Sequence, residues 1–186
     1  MDRAAEAIGG CVSDLEEAAR RVTAGDRAAF EAIVRETQRT LLRAAARVLG
    51  SREEALDVLQ DAYVRAFDAL VEGSFDGRSR VSSWLYRVVM NASLDALRAR
   101  RRRPTVPLPE AEPEASGDSA EVRVALAELG RMLDLLPADQ RAALVLRELE
   151  GLSNAEVAEV LETSEGAIEQ RLMRARATLR RRSNES

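Results

Sequence analysis

Histidine and lysine are absent from the 186 residues, and Cys11 is the single cysteine. A zinc centre of cysteine and histidine, an intramolecular disulfide and histidine-based acid–base catalysis are therefore excluded. Aromatic side chains make up only 3% of the chain, which disfavours sandwiches rich in Val, Thr and Tyr. No apolar run is long enough to cross a bilayer and no signal-like stretch opens the chain. Direct membrane insertion is not expected, and a cytoplasmic setting is. Neither a metal nor a cofactor is expected.

Ala, Leu, Arg and Glu dominate, and the 46% hydrophobic content is enough to give a core to each of two small units. The expected fold class is all-α, with two small helical domains joined by a flexible acidic linker. All 28 basic residues are arginine. A GC-rich genome would give this, and so would a preference for bidentate phosphate binding. The net charge of −4 argues against a protein that coats nucleic acid uniformly, so any DNA contact must come from local positive clusters.

Residues 1–25 have weak helical character broken by Gly9 and Gly10, and read as a loose arm or a short helix. From Asp26 onward Phe30, Ile33, Val34, Leu41, Ala45 and Val48 recur at helical spacing, with Gly50 as a left-handed stop. Ser51 and Glu54 form a capping-box pattern, and Ala55, Leu59, Ala62, Ala66 and Leu70 make one stripe before Gly73. A polar loop from Ser74 to Ser82 leads into a helix that should bury Trp84, Leu85, Val88, Val89, Ala92 and Leu97. That helix runs into Arg98, Arg100, Arg101, Arg102 and Arg103 before Pro104 stops it. A first domain over 26–103 results.

Residues 104–119 change character: Pro104, Pro107, Pro109 and Pro113 alternate with Glu110, Glu112, Glu114 and Asp118, with no basic residue. This reads as a semi-extended linker with a reach on the order of 50 Å, so two domains could act far apart. The second domain, 120–183, opens with a helix marked by Val122, Ala125, Leu126, Leu129, Met132, Leu133 and Leu136. Pro137 suits the first turn of the next helix, which carries Leu144, Leu146 and Leu149 to Gly151. A second capping box, Ser153 with Glu156, opens a third helix ending near Leu161, and a turn over Glu162, Thr163 and Ser164 precedes a last helix through Arg182.

Val157, Ala158, Val160 and Leu161 on one short helix, with Ile168 and Leu172 on the next, fit a helix-turn-helix, although any helical corner shares that pattern. Charge tips the balance. The second of these helices carries Arg171, Arg174, Arg176, Arg180, Arg181 and Arg182, enough to engage phosphates on either side of a groove. The cluster from Arg98 to Arg103 likewise exceeds the one or two cations that a helix C-terminus needs. Carboxylates are plentiful but follow helix-surface spacing, and no nucleophile and base stand out, so neither an enzyme nor a small-molecule substrate is expected.

Three stretches then carry a resemblance. SREEALDVLQDAYVRAF (51–67), FDGRSRVSSWLYRVVMNASLDALRARRRR (75–103) and LPADQRAALVLRELEGLSNAEVAEVLETSEGAIEQRLMRARATLRR (136–181) resemble, in that order, parts of the extracytoplasmic-function (ECF) sigma factors of the sigma-70 family. The resemblance implies a transcription initiation factor that binds RNA polymerase core, at the β′ clamp coiled coil and the β flap, and promoter DNA, with an anti-sigma factor as a further partner. It assigns polymerase contacts to Asp57, Gln60, Asp61 and Arg65. Minus-ten recognition and melting fall to Phe75, Asp76, Arg78, Trp84, Arg87, Asn91, Arg98 and Arg101, although Trp84 suits a core equally well. Capturing an extruded base there must offset unstacking of about a few kcal/mol.

Minus-thirty-five contacts fall to Ser164, Glu165, Ala167, Glu169, Gln170, Arg171, Arg174 and Arg176. The sequence departs from the family pattern at Glu169 (usually Lys), Met173 (usually His) and Glu162 (often Gly). A carboxylate accepts from a cytosine N4 amine but repels phosphates, so Glu169 implies an altered promoter preference or a surface for a protein partner. The acidic linker corresponds to a segment that threads toward the polymerase active-site and RNA-exit channels, where clustered carboxylates would mimic RNA; a plain spacer explains them as well. The alternatives are a stand-alone helix-turn-helix transcriptional regulator, whose front half dimerises or senses a ligand, and a helical adaptor without DNA contact.

Overall fold

The computed structural model describes residues 12–102 and 120–183. Cys11, Arg103, the acidic linker and the expectations attached to them lie outside the described residues, as does the side chain of Arg101. The first unit comprises α1 (Val12–Thr23), a 3-10 turn (Arg27–Ala29), α2 (Phe30–Leu49), α3 (Arg52–Val71) and α4 (Val81–Arg102). The second comprises α5 (Ala120–Asp134), α6 (Ala138–Leu144) with a wider π turn (Val145–Leu149), α7 (Asn154–Val160) and α8 (Glu165–Ser183). Every regular element among the described residues is helical, as the composition implies.

Within the N-terminal segment, residues 12–23 form a helix that rests on the neighbouring elements. Leu15, Ala18, Ala19 and Val22 of α1 are buried against α2, α3 and α4. The Glu16 carboxylate accepts from the Val81 N–H at 3.0 Å, satisfying one of the amides that the first turn of α4 leaves without an intrahelical acceptor. This places the start of α4 at Val81, so the polar loop is shorter than expected and Ser82 lies buried in the helix.

α2 ends as its sequence predicts. Gly50 takes φ +74° and its N–H donates to Ala46 O at 2.8 Å. A Cβ there would also sit 3.2 Å from Asp134 Oδ1, at the end of α5. Ser51 Oγ accepts from Glu54 N at 3.2 Å, yet the Glu54 carboxylate meets Arg100 at 3.3 Å, so only half of the predicted capping box is used. Phe30 packs edge-on against Tyr63 and Phe67, with centroids 6.1 and 5.2 Å apart, and Thr37 Oγ1 lies 2.7 Å from Tyr63 OH.

α4 departs from a one-sided stripe: Val81, Ser82, Ser83, Trp84, Leu85 and Tyr86 are consecutive and all buried. The reason is tertiary. α4 is covered by α1, α2 and α3 on one side and by α6 and α7 of the second unit on the other. In that second unit the Ser153–Glu156 box is complete: Ser153 Oγ accepts from Glu156 N at 3.3 Å, and Glu156 Oε2 accepts from Ser153 N at 2.7 Å. Pro137 precedes the first turn of α6 and does not occupy it. Leu136, Ala142, Leu146, Leu152, Val157, Ile168 and Ala175 are buried in its core.

The two units are docked and do not stand apart. Glu150, which follows the π turn, has a fully buried side chain that bridges Arg47 at 2.6 Å and Arg43 at 3.1 Å on α2. The Arg141 guanidinium, nearly as buried, donates to the Val48 carbonyl at 3.0 Å and pairs with Asp134 at 2.8 Å.

Candidate nucleic-acid interface

On α3 the residues Ala55, Leu59, Ala62, Ala66 and Leu70 point inward, which turns Asp57, Gln60, Asp61 and Arg65 to the opposite, exposed face. Leu56 and Val64 are exposed beside them, 47% and 56%. They line an apolar groove of about 470 Å³ with Phe30, Val34, Tyr63 and Phe67. The sequence reading missed this groove. Its signal was present, because Leu56 and Val64 are apolar residues at polar positions of the helical register, and isolated apolar residues on a surface are common enough to pass unnoticed.

The turn between α3 and α4 gathers a second set. The Phe75 ring lies against that of Trp84, with centroids 4.6 Å apart and planes tilted by 39°. Trp84 is buried and forms the floor of this corner, while Phe75 is half-buried above it. Asp76 Oδ1 accepts from Arg78 N at 3.0 Å, and the exposed Arg78 guanidinium lies 3.4 Å from the same carboxylate. Arg87 reaches Ser79 Oγ at 3.4 Å. Thus Phe75, Asp76, Arg78, Trp84 and Arg87 share one corner, whereas Asn91 and Arg98 lie farther along α4 and face the second unit. Asn91 donates to Glu162 at 3.1 Å, and Arg98 to Asp139 at 3.1 Å and Asp95 at 3.2 Å.

The third set lies on α8. Ile168, Leu172 and Ala175 face the core, so Glu165, Glu169, Gln170, Arg174 and Arg176 are exposed, with Ala167 and Arg171 half-buried. Ser164 is exposed and serves a local role, its Oγ accepting from Ala167 N at 3.3 Å to cap the helix. Arg171 lies 4.0 Å from Asp139, and Arg176 pairs with Glu148. Glu162 sits in the turn before α8 at φ +49°, a left-handed conformation that glycine adopts more readily.

Burial pushes the Tyr63 hydroxyl up to about 12, against the opposing bond to Thr37. Burial and the negative charge of Glu150 raise that of Tyr86 further. Among the described residues no group of His, Cys, Asp and Glu could hold a metal ion, and no helix is long and apolar enough to cross a membrane.

A family model described as Sigma-70 region 2 matches residues 33–103, and one described as Sigma-70, region 4 matches residues 126–179. The ECF RNA polymerase sigma factor SigM of Mycobacterium tuberculosis (strain ATCC 25618 / H37Rv) is 43% identical over 169 residues, covering 91% of this chain and 84% of the relative. The chain belongs to the ECF RNA polymerase sigma factors. The ECF RNA polymerase sigma-E factor of Escherichia coli (strain K12) is 35% identical over 86% of this sigma factor and 88% of its own length. Among solved structures, CnrH in complex with the cytosolic domain of CnrY aligns with a TM-score of 0.70 and 28% identity, covering 93% of this chain and 99% of that one. The sigma factor RpoE bound to the anti-sigma factor NepR from Bartonella quintana shares the fold, with a TM-score of 0.66 at 24% identity over 82% of this chain and 94% of that one. The region 2 match takes in α3 and α4, and the region 4 match takes in α6, α7 and most of α8. α1 precedes both.

Proposed function

We propose that this sigma factor binds RNA polymerase core and directs promoter-specific initiation from the cytoplasm, without enzymatic activity of its own. Residues 26–103, together with α1, form the unit that meets polymerase and the minus-ten element. Residues 104–119 connect it to 120–183, the unit that meets the minus-thirty-five element. The observation that carries this reading is the pairing of two family-matched helical units with cationic side chains on α4 and α8. Asp57, Gln60, Asp61 and Arg65, around the exposed Leu56 and Val64, offer the mixed polar and apolar surface that a helical partner needs. Phe75, Asp76, Arg78, Trp84, Arg87, Asn91, Arg98 and Arg101 serve the minus-ten element. Ser164, Glu165, Ala167, Glu169, Gln170, Arg171, Arg174 and Arg176 serve the minus-thirty-five element. The solved relatives are complexes, one with an anti-sigma factor, which supports such a partner here.

Run-off transcription on genomic promoters with purified core polymerase tests the reading, and specific start sites that need this protein are the expected result. Failure to form a holoenzyme or to start RNA anywhere overturns it. Specific duplex binding without polymerase would favour a stand-alone regulator instead.

A further inference from the structure

The outward face of α8 carries one carboxylate that the helix itself does not explain. Glu165 lies in the first turn, where the partial positive charge of the helix N-terminus favours it. Glu169 lies one turn farther on, and that effect fades within a turn. The residues three and four positions away are Gly166, Leu172, Glu165 and Met173, so α8 offers it no cation and Glu165 repels it. Among the described residues no other side chain forms an ion pair or hydrogen bond with its carboxylate. The nearby arginines are disposed otherwise: Arg171 lies 4.0 Å from Asp139 and Arg176 pairs with Glu148, while Arg174 is exposed. Met173, four positions after Glu169 and so about 40° round the axis and about 6 Å along it, is 60% exposed. On the other side, Gly166 presents no side chain and a Cβ there would meet nothing within 4 Å, so the approach to Glu169 is open. The exposed Gln170 separates this strip from Arg174.

Phosphates repel a carboxylate, so Glu169 suits a duplex only where a base edge offers it a hydrogen. In the major groove guanine presents two acceptors, thymine an acceptor and a methyl, and adenine an amine beside an acceptor; cytosine presents its amine alone. Against any other base the carboxylate would lose hydration without gaining a partner. Met173 offers only apolar contact, and its counterpart in that groove is the C5-methyl of thymine. Base steps are about 3.4 Å apart, so the two side chains span one or two steps. We propose that Glu169 and Met173 form a two-residue reader: Glu169 accepts from the N4 amine of a cytosine, and Met173 packs on the methyl of a thymine one or two base pairs away. Arg174, across Gln170, holds a neighbouring phosphate. The reader rests on α8 facing the minus-thirty-five element, as proposed above.

Holoenzyme assembled from core polymerase and the full chain, selected on a library in which the minus-thirty-five box of a transcribed promoter is randomised, tests this base by base. The wild type should enrich cytosine at one position. Glu169→Ala should lower that enrichment by about five- to tenfold and leave the other positions unchanged. Glu169→Arg should turn the preference at the same position from cytosine to guanine. Replacing thymine in the selected box by uracil, which lacks the methyl, should weaken wild-type binding by up to about fourfold and leave Met173→Ala unaffected. Both side chains are exposed, so the variants should fold, which circular dichroism checks; if Glu169→Ala does not, Glu169→Gln decides, with its preference moved toward adenine. An unchanged base profile in a folded Glu169 variant, a change spread evenly over all sequences, or a wild type indifferent to uracil overturns the reader. A holoenzyme that still selects promoters in those cases sinks the reader alone, whereas a wild type that selects none sinks the function proposed above as well.

Discussion

Glu162 holds φ +49° at the turn between α7 and α8, where an L-residue is disfavoured by roughly 1–2 kcal/mol. Glycine removes that strain at the cost of some unfolded-state entropy, so Glu162→Gly should stabilise the protein by up to about 1 kcal/mol in urea unfolding. A net loss would mean that the contact with Asn91 outweighs the strain. The two tyrosines set an alkaline limit. Both hydroxyls are raised, Tyr63 to about 12 and Tyr86 beyond it, whereas those of an unfolded chain ionise near 10. The unfolded chain thus gives up protons that the native chain retains, so stability is fully present below about pH 10 and falls as pH climbs toward 12. Thermal melts across that range, followed with tyrosinate absorbance, check this; ionisation near 10 in a still-folded protein would contradict it.

Elements were read best where a local rule ends them. Gly50, Ser51, Gly151 and Ser153 mark helix boundaries by short-range chemistry, and each does so in the structure. The two boxes differ in strength, which gives a prediction. Ser153→Ala removes a reciprocal cap and should cost about 1 kcal/mol, whereas Ser51→Ala, with Glu54 turned to Arg100, should cost less. Equal losses in denaturant midpoints would show that the reciprocal bond from Glu156 adds nothing to the second cap. The start of α4 escaped the sequence because its cap, Glu16, comes from a helix 65 positions away. The sequence leaves Trp84 open between core and site for a related reason, since its burial beneath Phe75 depends on how the α3–α4 turn folds over.

At the scale of the molecule, the net charge of −4 hides a division in which arginines on α4 and α8 meet carboxylates of the second unit. Arg174 is exposed on α8 without such a role in the docked units, so it should act on phosphates. Arg174→Ala should weaken holoenzyme binding to promoter DNA evenly across sequences and lower the slope of log K against log salt by about 1. A change confined to one base position, measured by anisotropy across a salt series, would assign it to base reading instead. Reversing charge at Asp61 should weaken capture of core polymerase and leave the melting temperature unchanged, because the residue is exposed. Unchanged capture would remove α3 from the polymerase surface.

Most helix boundaries and the outward faces of α3 and α8 were determined by the sequence alone, because periodicity and caps act within a few residues of chain. The double-sided burial of α4, the bridge of Glu150 to Arg43 and Arg47, and the shared hold of Asp139 on Arg98 and Arg171 were decided only by tertiary structure. Those contacts join residues more than thirty positions apart. Which carboxylate meets which arginine depends on how two helical units dock, and no local pattern encodes that choice.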